Sequence, residues 1–321
     1  MTGAPARVVL LGSGGFSVPT LYRLVHTAGV EVVAVVSAPD RPAGRHGKLL
    51  SVPATVAARK LGIPLLQPPK IRDAASIDAI RAVQPDLGVL ADYGQIVPQA
   101  LLDIPRHGIL NLHPSLLPRH RGASPIPATI LAGDSETGVT LIDMDAGLDT
   151  GPIVAVDRWP LAGDETASEL EARAAGVGAG LVAIAVGPWL RGEIEAAPQG
   201  EVGVTLTRPL RREDGRLDPS RPAHILERQV RAFQPWPGSF VETVAGRLIV
   251  WEASVDDAAG GDADRPSVPG TIGPGPDLRI ATADGWLVLD DVQPAGGRRM
   301  SGGAWLLGRP AAAGSVLDLG S

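Results

Sequence analysis

Three residues of this sequence have side chains that together could catalyse a reaction. Asn111 and His113 lie in ILNLHPSLLPRHRG, residues 109–122, and Asp149 lies between glycines in MDAGLDTG, residues 144–151. Asn111 and His113 are two positions apart in a strand-like run, so their side chains face the same side of that strand. An amide and an imidazole can hold a developing oxyanion, and a carboxylate can orient the imidazole and move protons. This set suits acyl transfer to an amine without a covalent enzyme intermediate.

Each of these residues also has a plainer explanation. A single buried histidine is more often a satisfied core residue, and a single aspartate in a turn usually caps its own backbone. The convergence of three such groups at one edge of a sheet favours the catalytic interpretation over these plainer ones. The chain has no cysteine, which excludes disulfides, cysteine nucleophiles and thiolate metal sites. No metal-ligand set appears, so no metal is expected.

Alternating strand and helix patterns must position these residues. Continuous apolar runs typical of buried parallel strands alternate with helical segments over residues 1–190. The predicted strands are 7–13, 30–39, 64–68, 87–93, 109–113, 136–145 and 152–161, and the predicted helices are 18–29, 52–61, 73–83, 125–133 and 166–190. Residues 40–51 are predicted as a loop. The alternation predicts a doubly wound, Rossmann-like α/β domain, whose ligands bind at the carboxyl ends of the strands, where Asn111 and His113 stand.

The pattern changes after about residue 195. One helical segment, 222–233, is followed by short strands separated by glycine turns, at 239–246, 247–255, 277–285 and 286–296. This pattern suggests a small β-barrel or sandwich, and we predict an OB-like barrel. We predict a catalytic domain over 1–192, a linker over 193–206 and a β-barrel domain over 207–321. Residues 256–270 are predicted as a surface loop.

Charge and hydropathy limit the class of protein. The net charge of −6 argues against bulk affinity for nucleic acid but allows local basic patches. The amino-terminal sequence lacks the features of a signal peptide, and no run approaches the length of a membrane span, so a soluble cytoplasmic protein is expected. Arg119 and Arg121, taken alone, are expected to be solvated loop charges. The turn GSGGFSVP, residues 12–19, lacks the full dinucleotide-binding spacing, and a tight βα turn is favoured.

Two longer stretches resemble a known family. NLHPSLLPRHRGASPI and AGDSETGVTLIDMDAGLDTGPI closely resemble the folate-dependent formyltransferases. The resemblance places Asn111, His113 and Asp149 on the family's catalytic group. Asn111 and a protonated His113 are then expected to donate to the oxyanion. Asp149 is expected to keep His113 charged by its proximity and to relay a proton to the leaving folate nitrogen. The resemblance also implies 10-formyltetrahydrofolate as the co-substrate, with folate contacts at Ser115, Leu116, Leu117, Pro118, Tyr93, Gly94 and Asp145.

Three further segments are similar to the branch of this family that acts on tRNA. They are PDRPAGRHGKLLSVP (39–53), RAFQPWPGSF (231–240) and GGRRMSGGAWLLGRP (296–310). The resemblance implies that the acceptor is the α-amine of initiator methionyl-tRNA. Nothing in the sequence suggests an obligate dimer, so a monomer is expected. The expected tRNA contacts are Arg41, Arg45, Lys48, Arg208, Arg211 and Arg298.

The sequence departs from the family at three places. Gly14 and Gly15 alter the first turn, Asp92 replaces a small apolar residue before Tyr93, and His120 stands where an aromatic residue is common. Three rivals stay open at this point: a formyltransferase acting on a small amine such as an amino sugar nucleotide or glycinamide ribonucleotide, a formyl-folate hydrolase, and a non-catalytic RNA-binding module. The loop at 39–53 and the large second domain argue against a small substrate, and the Asn-His-Asp set argues against a simple binding module.

Overall fold

A computed structural model describes residues 4–43, 48–256 and 268–318 of the chain. The chain divides into two units, one made of Met1–Pro125, Glu136–Pro160 and Leu170–Thr207, the other of Ile126–Ser135, Leu161–Glu169 and Arg208–Ser321. Each unit has its own sheet. The predicted domain boundaries at residues 192 and 206 stay a prediction.

The strands of the first unit are β1 to β11. Their bounds are Ala6–Leu11, Val30–Val36, Arg41–Ala43, Lys48–Leu50, Leu65–Leu66, Leu87–Leu90, Ile109–His113, Arg121–Gly122, Glu136–Asp143, Ile153–Pro160 and Leu206–Thr207. The strands of the second unit, β12 to β16, are Ser239–Thr243, Gly246–Val255, Arg279–Ala281, Trp286–Pro294 and Met300–Ser301. Helices α1 to α8 are Ser17–Val25, Pro53–Leu61, Ala74–Ala82, Gln99–Leu102, Pro125–Ala132, Ala167–Leu190, Ala223–Ala232 and Gly302–Leu307.

Seven strands form the main sheet of the first unit, in the order β10-β9-β7-β6-β1-β2-β5. The neighbouring strands β5, β2, β1, β6 and β7 are parallel to one another. Strand β9 pairs antiparallel to β7, and β10 pairs antiparallel to β9 at the edge of the sheet. From β1 the chain first adds β2 and β5 on one side and then crosses to add β6 and β7 on the other side. The point between β1 and β6 is therefore a topological switch, where sheets of this kind bind ligands. The predicted doubly wound α/β domain is confirmed.

The apolar runs form this sheet because both of its faces are covered. Val8, Leu10 and Leu11 of β1 are fully buried, as expected for a central parallel strand. On one side, α6 packs so closely on β7 that a Cβ atom at Gly178 would stand 2.5 Å from Leu112 Cδ2. Glycine at this position lets the helix approach the strand that carries Asn111 and His113.

By length and composition alone, helix α6 could cross a membrane. From the sequence, no segment long and apolar enough to do so was expected. Over its most apolar window 44% of the helix is buried. Ala179, Val182 and Val186 are among its buried residues. The helix therefore has the buried face of a core helix.

Two local predictions were wrong. Residues 40–51, predicted as a loop, contain the antiparallel pair β3–β4, in which Arg41 lies opposite Leu50. Helix α1 ends at Val25, before the predicted end at Gly29. The backbone N–H groups of His26 and Thr27 bond to carbonyl oxygens only three residues back, and Gly29, with a φ of 76°, completes the turn into β2. The surface loop predicted over 256–270 lies mostly outside the described residues.

The second unit has a five-stranded antiparallel sheet, with the path β12-β13-β15-β14 and β16 paired to β15. Its core joins the inner faces of these strands to α7 and α8, through Leu226, Val250, Leu287 and Trp305. The predicted small β domain, with a curled barrel-like sheet, is confirmed.

Candidate active site

Strand β7 places Asn111 and His113 at the carboxyl end of the sheet. It lies between β6 and β9, and all five of its residues are buried. Asn111 is only 6% exposed and His113 only 4%. Buried polar groups need hydrogen-bond partners, so the partners of these two side chains define the site.

Asp149 supplies one partner to each of them. Its Oδ1 accepts a hydrogen bond from Asn111 Nδ2 at 3.1 Å, and its Oδ2 lies 3.6 Å from His113 Nδ1. Its Oδ2 also accepts from the backbone N–H of Gly122 at 2.7 Å. Asp149 stands in the loop between β9 and β10 with a φ of 53°, in the left-handed region. The structure thus brings the three proposed catalytic residues together.

The environment of His113 fixes which nitrogen carries a proton. Nε2 lies 2.9 Å from the carbonyl oxygen of His120, and a carbonyl only accepts, so Nε2 is the donor. Nδ1 therefore faces Asp149. Burial lowers the pKa of His113 below its ordinary 6.5, and this effect exceeds the opposing effect of the Asp149 charge.

The expectation that Asp149 keeps His113 charged was therefore wrong. The sequence shows the carboxylate but not the nearly complete removal of the imidazole from water. With Nε2 protonated and the ring neutral, Nδ1 presents a lone pair. The geometry makes His113 a base rather than a permanent cation.

Two residues that sequence reasoning missed hold the Asp149 loop. Gln199 Nε2 donates to the carbonyl oxygens of Asp149 and Gly151, each at 2.8 Å. Gln199 Oε1 accepts from Arg121 through Nε at 3.0 Å and Nη2 at 2.7 Å. Arg121 is thus a structural anchor and not the solvated charge that was expected. No local pattern signals Gln199, because its partners lie 50 and 78 positions earlier.

The segment Ser115–Pro118, the first part of the expected folate site, turns away from β7. Ser115 Oγ donates to the carbonyl oxygen of Arg119 at 2.7 Å, and Thr140 Oγ1 donates to that of Ser115 at 2.7 Å. Ser115 and Leu117 are buried within the protein. Leu116 and Pro118 are half-buried, so these two keep surface that a ligand can contact.

The other expected folate residues lie after β6 and in the Asp149 loop. Tyr93 is buried, its hydroxyl has no hydrogen-bond partner among the described residues, and burial raises its pKa to about 12. Gly94 is exposed with a φ of 81°. Asp145 is exposed and accepts from Thr150 Oγ1 at 2.7 Å within its own loop.

Asp92 and His120, two departures from the family pattern, also have positive φ values, of 51° and 57°. The carboxylate of Asp92 lies over Gly14, where a Cβ atom would be 1.6 Å from Oδ2. Glycine at position 14 thus makes room for the acidic side chain at position 92. Burial, with a smaller effect from Glu171, raises the pKa of Asp92 to about 6.

The residues expected to contact tRNA are spread over both units. Arg41 is exposed at the start of β3, Lys48 begins β4, and Arg45 lies outside the described residues. In the second unit Arg211 and Arg298 are exposed. Arg208 is held by two hydrogen bonds of 2.7 and 2.6 Å to Asp214, and this contact lowers the pKa of the Asp214 carboxyl to about 2. The positive charge of Arg208 is therefore already paired with the negative charge of Asp214.

No group of three metal-ligating side chains occurs in the part of the chain that the structure describes. The site instead offers an amide donor, a neutral imidazole and a carboxylate around one point of the sheet edge. Residues 6–185 match the family described as formyl transferase, and residues 209–310 match the formyl transferase C-terminal domain. Fold and site together define a formyltransferase.

Relatives that match almost the full chain show which kind of formyltransferase this is. A methionyl-tRNA formyltransferase from Chloroflexus aurantiacus is 42% identical over 306 residues, which cover 94% of this chain and 96% of the relative. One from Myxococcus xanthus is 41% identical, covering 96% of this chain and 97% of the relative. The chain belongs to the family of methionyl-tRNA formyltransferases.

Solved structures share the fold at lower identity. An N-formyltransferase from Helicobacter canadensis, in complex with folinic acid and dTDP-3-aminofucose, has a TM-score of 0.62 at 16% identity, covering 89% of this chain and 98% of that one. HypX from Aquifex aeolicus, in complex with tetrahydrofolic acid, has a TM-score of 0.60 at 17% identity, covering 95% of this chain and 47% of that one. At these identities the likeness concerns the fold alone.

Proposed function

We propose that this protein transfers the formyl group of 10-formyltetrahydrofolate to the α-amine of initiator methionyl-tRNA. The observation that carries the proposal is the Asn111–Asp149–His113 contact at the carboxyl end of β7. It occurs in a chain that resembles methionyl-tRNA formyltransferases over nearly its full length. We place the reaction in the cytoplasm and assign it to a monomer.

The chemistry follows from the partners of each group. The neutral amine attacks the formyl carbon, forming a new C–N bond and a tetrahedral oxyanion. Asn111 has two amide hydrogens, and Asp149 takes one of them, so the other can donate to the oxyanion. Collapse of the intermediate breaks the bond from the formyl carbon to the folate nitrogen.

Proton transfer is assigned to His113. Its neutral Nδ1 accepts the proton that the attacking amine loses, and the bond from Nε2 to the His120 carbonyl oxygen keeps the ring oriented. Asp149 then stabilises the imidazolium ion, because its Oδ2 lies 3.6 Å from Nδ1. The proton passes on to the folate nitrogen as that group leaves, so charge and atoms balance.

Two exposed apolar side chains, in the segments after β6 and β9, are candidate contacts for a folate. Leu148, adjacent to Asp149, is 57% exposed, and Ile96, three residues after Tyr93, is 91% exposed. We assign these two side chains, together with the half-buried Leu116 and Pro118, to contacts with the rings of the folate.

The main alternative is transfer to a small amine, as in a formyltransferase for amino sugar nucleotides or glycinamide ribonucleotide. Such enzymes share the fold, as the Helicobacter protein illustrates. The full-length match to methionyl-tRNA formyltransferases and the exposed Arg41, Arg211 and Arg298 favour a large anionic acceptor. A hydrolase, in which water replaces the amine, would need the same oxyanion donors.

One experiment separates these possibilities. The protein is incubated with 10-formyltetrahydrofolate and initiator methionyl-tRNA, with elongator methionyl-tRNA as the control, and formylmethionine is quantified after release from the tRNA. Formylation of the initiator tRNA alone is expected. Loss of the formyl group from folate with both tRNAs unchanged would instead identify a hydrolase. No turnover with either tRNA, followed by formylation of a small amine, would replace the proposed acceptor.

A further inference from the structure

We infer that Gln199 is a positioning residue for formyl transfer, acting through the backbone of Asp149. The inference rests on the proposed function, because it assigns Gln199 a task in the same site. It also gives the return segment, which we define as residues 197–207, a part in catalysis. From the sequence, most of this segment was expected to be a linker.

The Gln199 side chain uses its full hydrogen-bonding capacity. A primary amide offers two N–H donors and an oxygen with two lone pairs. Both donors bind carbonyl oxygens of the catalytic loop, those of Asp149 and Gly151, at 2.8 Å. The oxygen accepts two bonds from Arg121. Rotation of the amide would break four hydrogen bonds, so its orientation is fixed.

Asp149 needs such support because its backbone is strained. A non-glycine residue at φ 53° occupies the sparsely populated left-handed region, and such a conformation persists only where the surroundings impose it. Gln199 fixes the carbonyl oxygen of Asp149, while Gly122 N–H fixes its carboxylate. Gly122 directly follows Arg121, so two neighbouring residues hold the Asp149 carboxylate and the Gln199 side chain.

The return segment supports the histidine as well. The backbone N–H of His120 donates to Thr205 Oγ1 at 2.7 Å, and the carbonyl oxygen of His120 accepts from His113 Nε2. Ala197 pairs with Ile153 through bonds of 2.7 and 2.8 Å, which attaches the segment to β10. One stretch of chain thus orders the surroundings of both Asp149 and His113.

The decisive variants are Gln199→Ala and Gln199→Glu. Gln199→Glu keeps the size of the side chain and its pairing with Arg121, but it removes both donors to the loop. We expect both variants to lower kcat about 10- to 100-fold, since displacing a reacting group by about 1 Å can cost 10²-fold. The KM for 10-formyltetrahydrofolate should rise by a smaller factor than kcat falls, because Gln199 bonds to the backbone of Asp149 and Gly151 and not to Asp145 or Leu148, the proposed folate residues of the same loop. Gln99→Ala, which removes an exposed side-chain bond on α4, is the matched control and should keep full activity.

Two further readouts separate positioning from a general loss of structure. Gln199→Ala added to Asp149→Ala should lower kcat no further, because both changes disable the same group. Hydrogen exchange should become faster in residues 145–151 of Gln199→Ala and stay unchanged in β1 and β6. Wild-type kcat in both Gln199 variants, or full additivity with Asp149→Ala, would overturn the inference.

The hydrogen-exchange result does not depend on the identity of the acceptor. If wild-type protein fails to formylate initiator methionyl-tRNA, the proposed function fails, whatever the exchange shows. If wild-type protein is active while loop exchange and kcat are unaltered in the Gln199 variants, only the positioning role fails.

Discussion

The backbone N–H of Gly122 donates to Oδ2 of Asp149 at 2.7 Å, while Oδ1 of the same carboxylate accepts from Asn111. Both carboxylate oxygens are therefore committed to the protein itself. Asp149 acts on the reaction chiefly through its neighbours: it orients the amide of Asn111 and stabilises positive charge on His113. The same hydrogen bonds explain how a polar cluster is accommodated at the buried end of β7.

Removing the amide of Asn111 should impair the chemical step. Loss of a single oxyanion donor typically lowers kcat by about 100- to 1,000-fold, and we expect Asn111→Ala to fall in that range. Asp149→Ala should lose at least as much, because it releases Asn111 and removes the carboxylate beside His113. Steady-state formylation assays and thermal melts of both variants check this. A variant with wild-type kcat would contradict the assigned role, and a folded protein is required for either conclusion.

The protonation of His113 can be measured directly. Burial lowers its pKa below 6.5 and the Asp149 carboxylate opposes that change. A proton NMR titration of the wild type, with His113→Asn to assign the resonance, should therefore give a midpoint below 6.5. In Asp149→Asn the opposing charge is gone, and the midpoint should move lower still. A midpoint above 6.5 in the wild type would restore the charged imidazole that the sequence suggested.

Local sequence patterns predicted most of the fold and the three central residues of the site. The run VVLL of β1 is buried on both faces, and Asn111 and His113 share one face of β7 because side chains alternate along a strand. What could not be predicted depends on distant parts of the chain. Gln199, for example, returns to the site from 50 positions after Asp149. The pairing of Arg41 with Leu50 is local, but the proline and glycines of the sequence DRPAGRHG favoured a loop there. The neutral state of His113 follows from its burial, and the spacing of residues in the sequence does not reveal how deeply a side chain is buried.

Asp92 gives a prediction for pH and stability. Its pKa is raised from 3.8 to about 6, so the folded protein prefers the protonated form. The unfolded chain releases this proton near pH 3.8, and stability due to Asp92 therefore falls as pH rises from about 4 to 6. Asp92→Asn stays neutral, so its Tm should match wild type near pH 3.8 and exceed it by about 2 °C at pH 7. Because Asp92 keeps contact with solvent, a larger gain is not expected.

The control for this measurement is Asp164→Asn, which changes an exposed carboxylate elsewhere. Its effect on Tm should not vary in the same way between pH 4 and pH 7. A constant difference between Asp92→Asn and wild type across this interval would show that Asp92 ionises alike in the folded and unfolded chain.

Gly122 is a position where glycine is required. Its φ is +101°, and a Cβ atom would stand 2.2 Å from the backbone oxygen of Thr207. We expect Gly122→Ala to destabilise the protein by about 1–3 kcal/mol, through backbone strain and the separation of β8 from β11. It should also lower kcat, since Gly122 N–H holds Asp149. Gly15→Ala, where no atom lies within 4 Å of the added Cβ, is the matched control for urea unfolding and formylation assays.

Arg41 and Arg208 should differ in their effects on tRNA binding, although both were expected to contact it. Arg41 is exposed at the start of β3, whereas Arg208 is already paired with Asp214 through two hydrogen bonds. Arg41→Ala should therefore weaken binding of initiator tRNA and reduce the slope of log Kd against log salt by roughly 1, as for the loss of one phosphate contact. Arg208→Ala should change the slope little, because the arginine contributes no unpaired charge. Filter-binding titrations over a range of salt concentrations measure both slopes, with Arg81→Ala on α3 as the control. Equal slopes for Arg41→Ala and wild type would remove the β3–β4 hairpin from the proposed tRNA surface.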